Sequence, residues 1–356
     1  MKHVMGLLKF LLKKAAFLLG TLLIVTYFTV VVANFGGLID QALIQEIRLQ
    51  VRQEFRGSEE LRRLPPDVQQ ALMEEEIDIR VERRGLNDPF ISKSFKQTYQ
   101  ALTFTLGNAL TIRSSEASSD TLDIILERLP RTVVLFTTAT ILSAILGIWL
   151  GLRMARRALS LFDRSWTVFS VSTFVVPSWV FAIFFILIFA FWLPVFPTGG
   201  MLSAPVPTDP WLYTLDFAYH LTLPLLVVTF SSFGAWAYVT RNLVLQTLDE
   251  DFVWAARSRG LSERRVLHRY VLRAASPPIV TSLALSLIVS WTGAIVTETV
   301  FQWPGLGLLY FQAILVIDSP VIIGLTVIYA MLFVLTIFLL DLTYGLLDPR
   351  IRAARG

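Results

Sequence analysis

Asp249-Glu250-Asp251-Phe252-Val253-Trp254-Ala255-Ala256-Arg257-Ser258-Arg259-Gly260-Leu261-Ser262-Glu263-Arg264-Arg265 is the stretch on which the reading of this chain turns. Its acidic start and basic end suit the two poles of a helix dipole. Gly260 supplies the left-handed backbone that stops a helix sharply. Ser262 then stands where it can cap a second basic helix running to about Arg273. Ala255 and Ala256 keep the surface low before the stop, so that another protein can approach closely. Taken alone, the hairpin fits equally well a basic element lying on anionic lipid. Its flanks place it between two membrane spans, because residues 217–240 and 274–297 contain no Asp, Glu, Lys or Arg.

Uncharged runs of spanning length occur six times, at 15–39, 132–152, 165–208, 217–240, 274–297 and 319–340. A helix crosses a bilayer with about 20 apolar residues at 1.5 Å each. The third run is too long for one helix. Pro194, Pro197, Pro205 and Pro207 end it at about Trp192 and leave 193–216 as a loop. The 356 residues are 54% hydrophobic and 16% charged, whereas soluble chains carry about a quarter charged residues. An ordinary soluble protein is excluded, and the expected fold is an all-α polytopic membrane protein with six transmembrane helices.

Eighteen of the 31 Lys and Arg residues fall on one side of this pattern. They are Lys2, Lys9, Lys13 and Lys14; Arg153, Arg156, Arg157 and Arg164; Arg241, Arg257, Arg259, Arg264, Arg265, Arg269 and Arg273; and Arg350, Arg352 and Arg355. The loops 193–220 and 302–320 have none. The positive-inside rule then puts both termini in the cytoplasm of a multi-pass cell-membrane protein. Residues 15–33 are expected to remain as a span, since their core exceeds the ~7–15 residues of a signal-peptide h-region and Val31-Val32-Ala33-Asn34 is a poor cleavage site.

Residues 40–128 break the pattern with 16 acidic and 12 basic residues. Ile39, Leu43, Ile47, Val51 and Phe55 recur every four residues, which marks an amphipathic helix. Pro65-Pro66-Asp67 opens a second helix, and Arg83-Arg84-Gly85 closes it. This extracytoplasmic insert is either a small lobe or a docking platform for an external protein. The expected division is 1–39, N-terminus and first span; 40–128, insert; 129–345, a five-helix core with the cytoplasmic loop 241–276; and 346–356, a cytoplasmic tail.

Several chemistries lack their residues. There is no cysteine, and the net charge of +4 leaves no electrostatic footprint for nucleic acid. No Gly-Lys pair occurs, so the chain has no P-loop for nucleotide hydrolysis. His3, His220 and His268 are far apart and read as surface or interface histidines rather than metal ligands. An ion-driven carrier places ionisable groups at mid-membrane, and only Glu298 and Asp341 come near, both at span ends.

The hairpin also carries a family resemblance. Ala255-Ala256-x-x-x-Gly260 resembles the core of the EAA loop of ABC-importer permeases, and the extended form from Glu250 to Arg273 is similar to the dipeptide/oligopeptide/nickel branch. Four further motifs resemble the same family in order: Ile125-Leu126-Glu127-Arg128-Leu129-Pro130-Arg131-Thr132 before the second span, Leu193-Pro194-Val195-Phe196-Pro197-Thr198-Gly199-Gly200 in an outer loop, Glu298-Thr299-Val300-Phe301-Gln302-Trp303-Pro304-Gly305-Leu306-Gly307 after the fifth span, and Asp348-Pro349-Arg350-Ile351-Arg352 near the end. Trp254 stands in place of the motif's glutamate and Arg273 in place of a downstream proline, and the insert is longer than the family's usual first external loop.

The resemblance implies the type I ABC-importer permease fold and transport of di- or oligopeptides by alternating access. It also implies a homologous second permease, two cytoplasmic ATPase subunits that bind ATP and Mg, an extracytoplasmic solute-binding protein, and no cofactor or catalytic residue in this chain. Glu250, Asp251, Ala255, Ala256, Arg257, Arg259, Gly260, Leu261, Ser262, Arg264 and Arg265 would form the ATPase-coupling loop. Glu298, Trp303, Pro304, Gly305 and Gly307 would shape the outer mouth, with Glu298 either holding the turn or touching solute. Pro177 and Pro224 can kink helices lining the path. A glycoside or nickel chelate as solute, or an ion-coupled carrier, are the alternatives.

Overall fold

The computed structural model describes residues 2–35, 37–58, 61, 64–83 and 85–347. The motif at 348–352 and the C-terminal arginines lie outside them. The described residues form helices and one isolated bridge, Asn108 to Asp120. In chain order the helices are α1 (Lys2–Phe35), α2 (Leu38–Gly57), α3 (Pro66–Arg83), α4 (Phe90–Leu102), α5 (Thr121–Arg156), α6 (Leu161–Val175), α7 (Ser178–Ile186, continued as π-helix to Trp192), α8 (Pro210–Leu248), α9 (Asp251–Ser258), α10 (Glu263–Thr292), α11 (Ile295–Val300), α12 (Leu306–Leu315) and α13 (Ser319–Leu347). Five of them, α1, α5, α8, α10 and α13, are long and apolar enough to cross a bilayer, and α6 with α7 makes a sixth span when the bent pair is counted as one.

Two runs depart from the expected single continuous helices. The third breaks, with α6 and α7 bent by 96°. Pro177 forces its predecessor out of the helical region, and Val176 is extended with ψ 126°. Pro177 therefore ends one helix and starts another rather than kinking one, whereas Pro224 lies inside the 39-residue α8. The fifth run also splits. Its helix stops at Thr292, Gly293 turns with φ 66°, and α11 follows. At its other end the helix does not stop near Arg273 but runs on through a π-turn at Val266–Val271 and through Pro277 and Pro278. Pro277 has no N–H for the carbonyl of Arg273, and the Ser276 hydroxyl donates to that oxygen instead at 3.0 Å.

The chain divides into two compact units, one built on residues 128–309 and the other on 13–127 with 310–334. In the first, small residues let backbones approach closely. A Cβ at Gly147 or Gly151 of α5 would strike Trp236, Ala237 and Thr240 of α8, and one at Gly234 of α8 would strike Thr173 and Ser170 of α6. Asp163, buried at the start of α6, accepts from the guanidinium of Arg241 on α8 at 2.5 and 2.7 Å and from the Leu159 amide at 3.0 Å.

In the second unit, Ile47 and Val51 of α2 bury against Ile77 and Val81 of α3, with Leu43 and Phe55 partly covered, as the fourfold spacing predicts. Arg80 binds Glu54 and Glu76, both at 2.7 Å, and holds the Glu54 carboxyl below its ordinary value. Gly85 closes α3 with φ 65°. Asp318, buried between α12 and α13, accepts from three consecutive amides of the insert, Leu110, Thr111 and Ile112, at 3.1, 2.8 and 3.0 Å.

Candidate functional site: a coupling loop and a carboxylate-held turn

The loop after α8 is rooted on one side and open on the other. Val253 and Ala256 of α9 are buried in a cluster with Val244 of α8 and Val266, Leu267, Val271 and Ala275 of α10. Phe252 and Trp254 project outward, Trp254 with 60% of its surface free, and Asp251, Ala255, Arg259 and Gly260 are exposed beside them. The two alanines thus take opposite sides, Ala256 inward and Ala255 outward. Gly260 ends α9 with φ 74°, and its amide donates to the carbonyl of Arg257 at 2.9 Å. The Arg257 guanidinium pairs with Glu263 at 3.0 Å, tying α9 to the start of α10. Ser262 begins α10 through its carbonyl, which accepts from the amides of Arg265 and Val266; its hydroxyl makes no capping bond. Leu261 packs on the cluster, and Arg264 and Arg265 are exposed.

Glu298 occupies a different environment. It is fully buried on α11. One carboxylate oxygen accepts from the amides of Gly307 and Leu308 at 2.8 and 3.1 Å, and the other from the Thr132 hydroxyl at 3.0 Å. Thr132 in turn accepts from the Leu306 amide at 2.8 Å. The first three N–H groups of α12, which have no partner within the helix, are all satisfied by these two side chains. A carboxylate at that position also suits the positive end of the helix.

The surrounding residues lock this arrangement. The Trp303 indole donates to the Arg131 carbonyl at 3.1 Å, and the Trp303 amide donates to the Glu298 carbonyl at 2.9 Å. The Gly200 amide donates to the carbonyl of Phe301 at 2.8 Å, and a Cβ on Gly199 would strike the Phe301 backbone. A Cβ on Gly293 would lie 2.6 Å from Glu298 and 2.7 Å from Thr132. A Cβ on Gly305 would overlap the same two side chains, and one on Gly307 would come within 2.8 Å of Ile295. Pro304 sits half-buried between Trp303 and Gly305.

Three motifs that are separate in sequence therefore meet at one place: Arg131-Thr132, Gly199-Gly200 and Glu298 through Gly307. Thr132 and Gly293 were not singled out from sequence as partners of Glu298; a polar residue at the start of an uncharged run was the available signal. The Asp163–Arg241 pair was also missed, although Arg241 borders one uncharged run and Asp163 stands two residues before another. His220 is buried, with the Asp216 carboxylate one turn away at 3.5 Å. That carboxylate is engaged by the amide and hydroxyl of Ser203, both at 2.7 Å. Among the described residues no three His, Asp or Glu side chains are grouped to hold a metal. The side chain of Asp341 lies outside those described.

The described fold is that of a polytopic helical membrane protein with a short loop helix rooted between two spans. Residues 143–353 match the family described as the binding-protein-dependent transport system inner membrane component, and the chain belongs to that family. It is 31% identical to an oligopeptide transport system permease protein, AppB, of Bacillus subtilis (strain 168), over 81% of this chain and 87% of that protein. It is 30% identical to a di/tripeptide transport system permease protein, DppB, of Pseudomonas aeruginosa (strain UCBPP-PA14), over 83% and 92%. An inner membrane ABC transporter permease protein, YejB, of Escherichia coli O157:H7 is 30% identical over 76% and 74%.

Proposed function

We propose that this chain is the membrane-spanning subunit of an ATP-driven importer of peptides. The observation that carries the reading is α9, whose inner residues Val253 and Ala256 are packed into the core shared by α8 and α10 while Phe252 and Trp254 face outward. A push on such a helix is passed to two spans rather than absorbed by a flexible loop. The peptide class is supported by relatives named for oligopeptide and di/tripeptide transport.

In this reading the complex contains a second, homologous permease, two cytoplasmic ATPase subunits that bind ATP and Mg, and a solute-binding protein on the other side. Both termini and the α9 loop are cytoplasmic, in keeping with the placement of the arginines. ATP binding closes the ATPase pair, α9 carries the motion into α8 and α10, and the spans reorient to receive solute; hydrolysis resets them. Glu298 holds the turn before α12 and does not touch solute, because its carboxylate is fully buried and both its oxygens are engaged, by Thr132 on one side and Gly307 and Leu308 on the other.

The test is reconstitution. The purified chain alone should hydrolyse no ATP, and assembly with its ATPase subunits and binding protein should give peptide-stimulated hydrolysis and uptake. Turnover by the isolated chain, or an assembled complex indifferent to peptides, would defeat the proposal. Glu298→Gln should lower transport of charged and neutral peptides alike; a shift in preference between them would instead assign Glu298 to solute contact.

A further inference from the structure

Helix α4 is built the wrong way round for a water-soluble lobe. A helix on a soluble domain turns its apolar stripe toward the core. In α4 the inward residues are Lys93, Ser94, Thr98 and Ala101, with the Lys93 ammonium paired to Asp40. Ile91, Phe95 and Tyr99, spaced four apart on one face, are 64, 58 and 70% exposed.

The depth of this stripe is set by α1. The Phe95 ring lies 4.8 Å from the ring of Tyr27, which continues to the ring of Phe28 at 6.4 Å. Tyr27 is inside the apolar span Lys13–Val32, about 7.5 Å short of its end at 1.5 Å per residue. Phe28 is itself 62% exposed on that span. An exposed apolar stripe that joins the surface of a membrane-spanning helix below its end is at the level of lipid, not of water.

We propose that α4 lies in the membrane boundary, with Ile91, Phe95 and Tyr99 against lipid acyl chains in the leaflet that holds the end of the α1 span. Apolar residues on one face and lysine on another are the composition of interfacial helices, and Lys96 is on the polar side, facing Asp88 at 4.0 Å. The insert is then anchored to the bilayer rather than projecting free of it. The inference rests on the membrane reading of α1 and not on transport or on the solute.

Because the chain has no cysteine, single nitroxide labels can be placed at Ile91→Cys and Tyr99→Cys in the full chain, reconstituted in phosphatidylcholine vesicles. Both side chains are exposed, so the labels displace no packing. The measurement is collision with oxygen, which concentrates in lipid, against collision with a water-soluble nickel chelate. The ratio at both positions should match that at Phe28→Cys on α1 and exceed several-fold that at Glu75→Cys on the exposed side of α3. A ratio like that of Glu75→Cys would show the stripe in water, and protection from both reagents would show a protein partner covering it; either result overturns the proposal. Nickel access at Phe28→Cys would defeat the membrane reading of α1 instead, so the two failures are distinguishable.

Discussion

Gly305 has Glu298 and Thr132 so close that a single added carbon would overlap both, whereas Gly260 has no atom within 4 Å of the place where a Cβ would stand and is held to glycine only by φ 74°. The two turns contain comparable sequence punctuation and differ in what surrounds it. The Glu298 turn is closed, with both carboxylate oxygens and the Thr132 hydroxyl engaged and Gly293, Gly305 and Gly307 each filled against by a neighbour. The α9 loop is closed on one side only and leaves Phe252 and Trp254 facing outward. Substitutions in the first should therefore cost stability, and substitutions in the second should cost coupling while the protein stays folded.

The largest effect is expected at the carboxylate. Glu298→Ala leaves the amides of Gly307 and Leu308 and the Thr132 hydroxyl without their acceptor, a loss of about 4 kcal/mol at about 1–3 for each buried unpaired group. Thermal unfolding in detergent should show it, with membrane abundance falling in parallel. Near-normal unfolding would mean that the turn is held by something other than Glu298.

Gly305→Ala comes next, at about 3 kcal/mol, as an overpacked site with no empty space to yield into. The same assay applies, and Gly305→Ala combined with Thr132→Ser should recover little, because serine keeps the hydroxyl oxygen that the new carbon strikes and the carboxylate is struck as well. Asp318→Asn should follow at about 2 kcal/mol, since one acceptor oxygen remains for the amides of Leu110, Thr111 and Ile112 while the other becomes a donor facing them. Faster proteolysis within 105–120 is the local readout.

Gly260→Ala should cost only about 1–2 kcal/mol, from the left-handed backbone alone, and should weaken uptake modestly; Gly260→Asp should abolish it at normal membrane abundance. Trp254→Ala should have the smallest effect on stability, within about 0.5 kcal/mol for an exposed side chain, and should still lower peptide-stimulated ATP hydrolysis. If Trp254→Ala unfolds the chain while Glu298→Ala does not, the comparison between the two turns is reversed.

Much of this arrangement could be read from residue order. The hairpin's stop at Gly260, the buried face of α2 at Ile47 and Val51, and the six uncharged runs are local patterns, each set within one helix by backbone freedom or by the spacing of apolar residues. Hydropathy could not locate the breaks in the third and fifth runs. At Val176-Pro177 and Gly293-Ala294 the residues remain uncharged, so a count of charges passes over changes of direction that depend on backbone torsion.

Sequence by itself determined the helical membrane class, the family resemblance and the glycine that ends α9, because these follow from composition and from contacts between near neighbours. Tertiary structure decided the surroundings of Glu298. In sequence it is one carboxylate at the edge of an apolar run, compatible with solute contact or with a turn. Its hydroxyl partner Thr132 is 166 residues away and its backbone partners begin nine residues ahead. A buried carboxylate is defined by the donors that satisfy it, and only folding brings those donors to one point. The outward stripe of α4 has the same origin: spacing puts Ile91, Phe95 and Tyr99 on one face, and only the fold shows that Lys93, Ser94 and Thr98 take the inside.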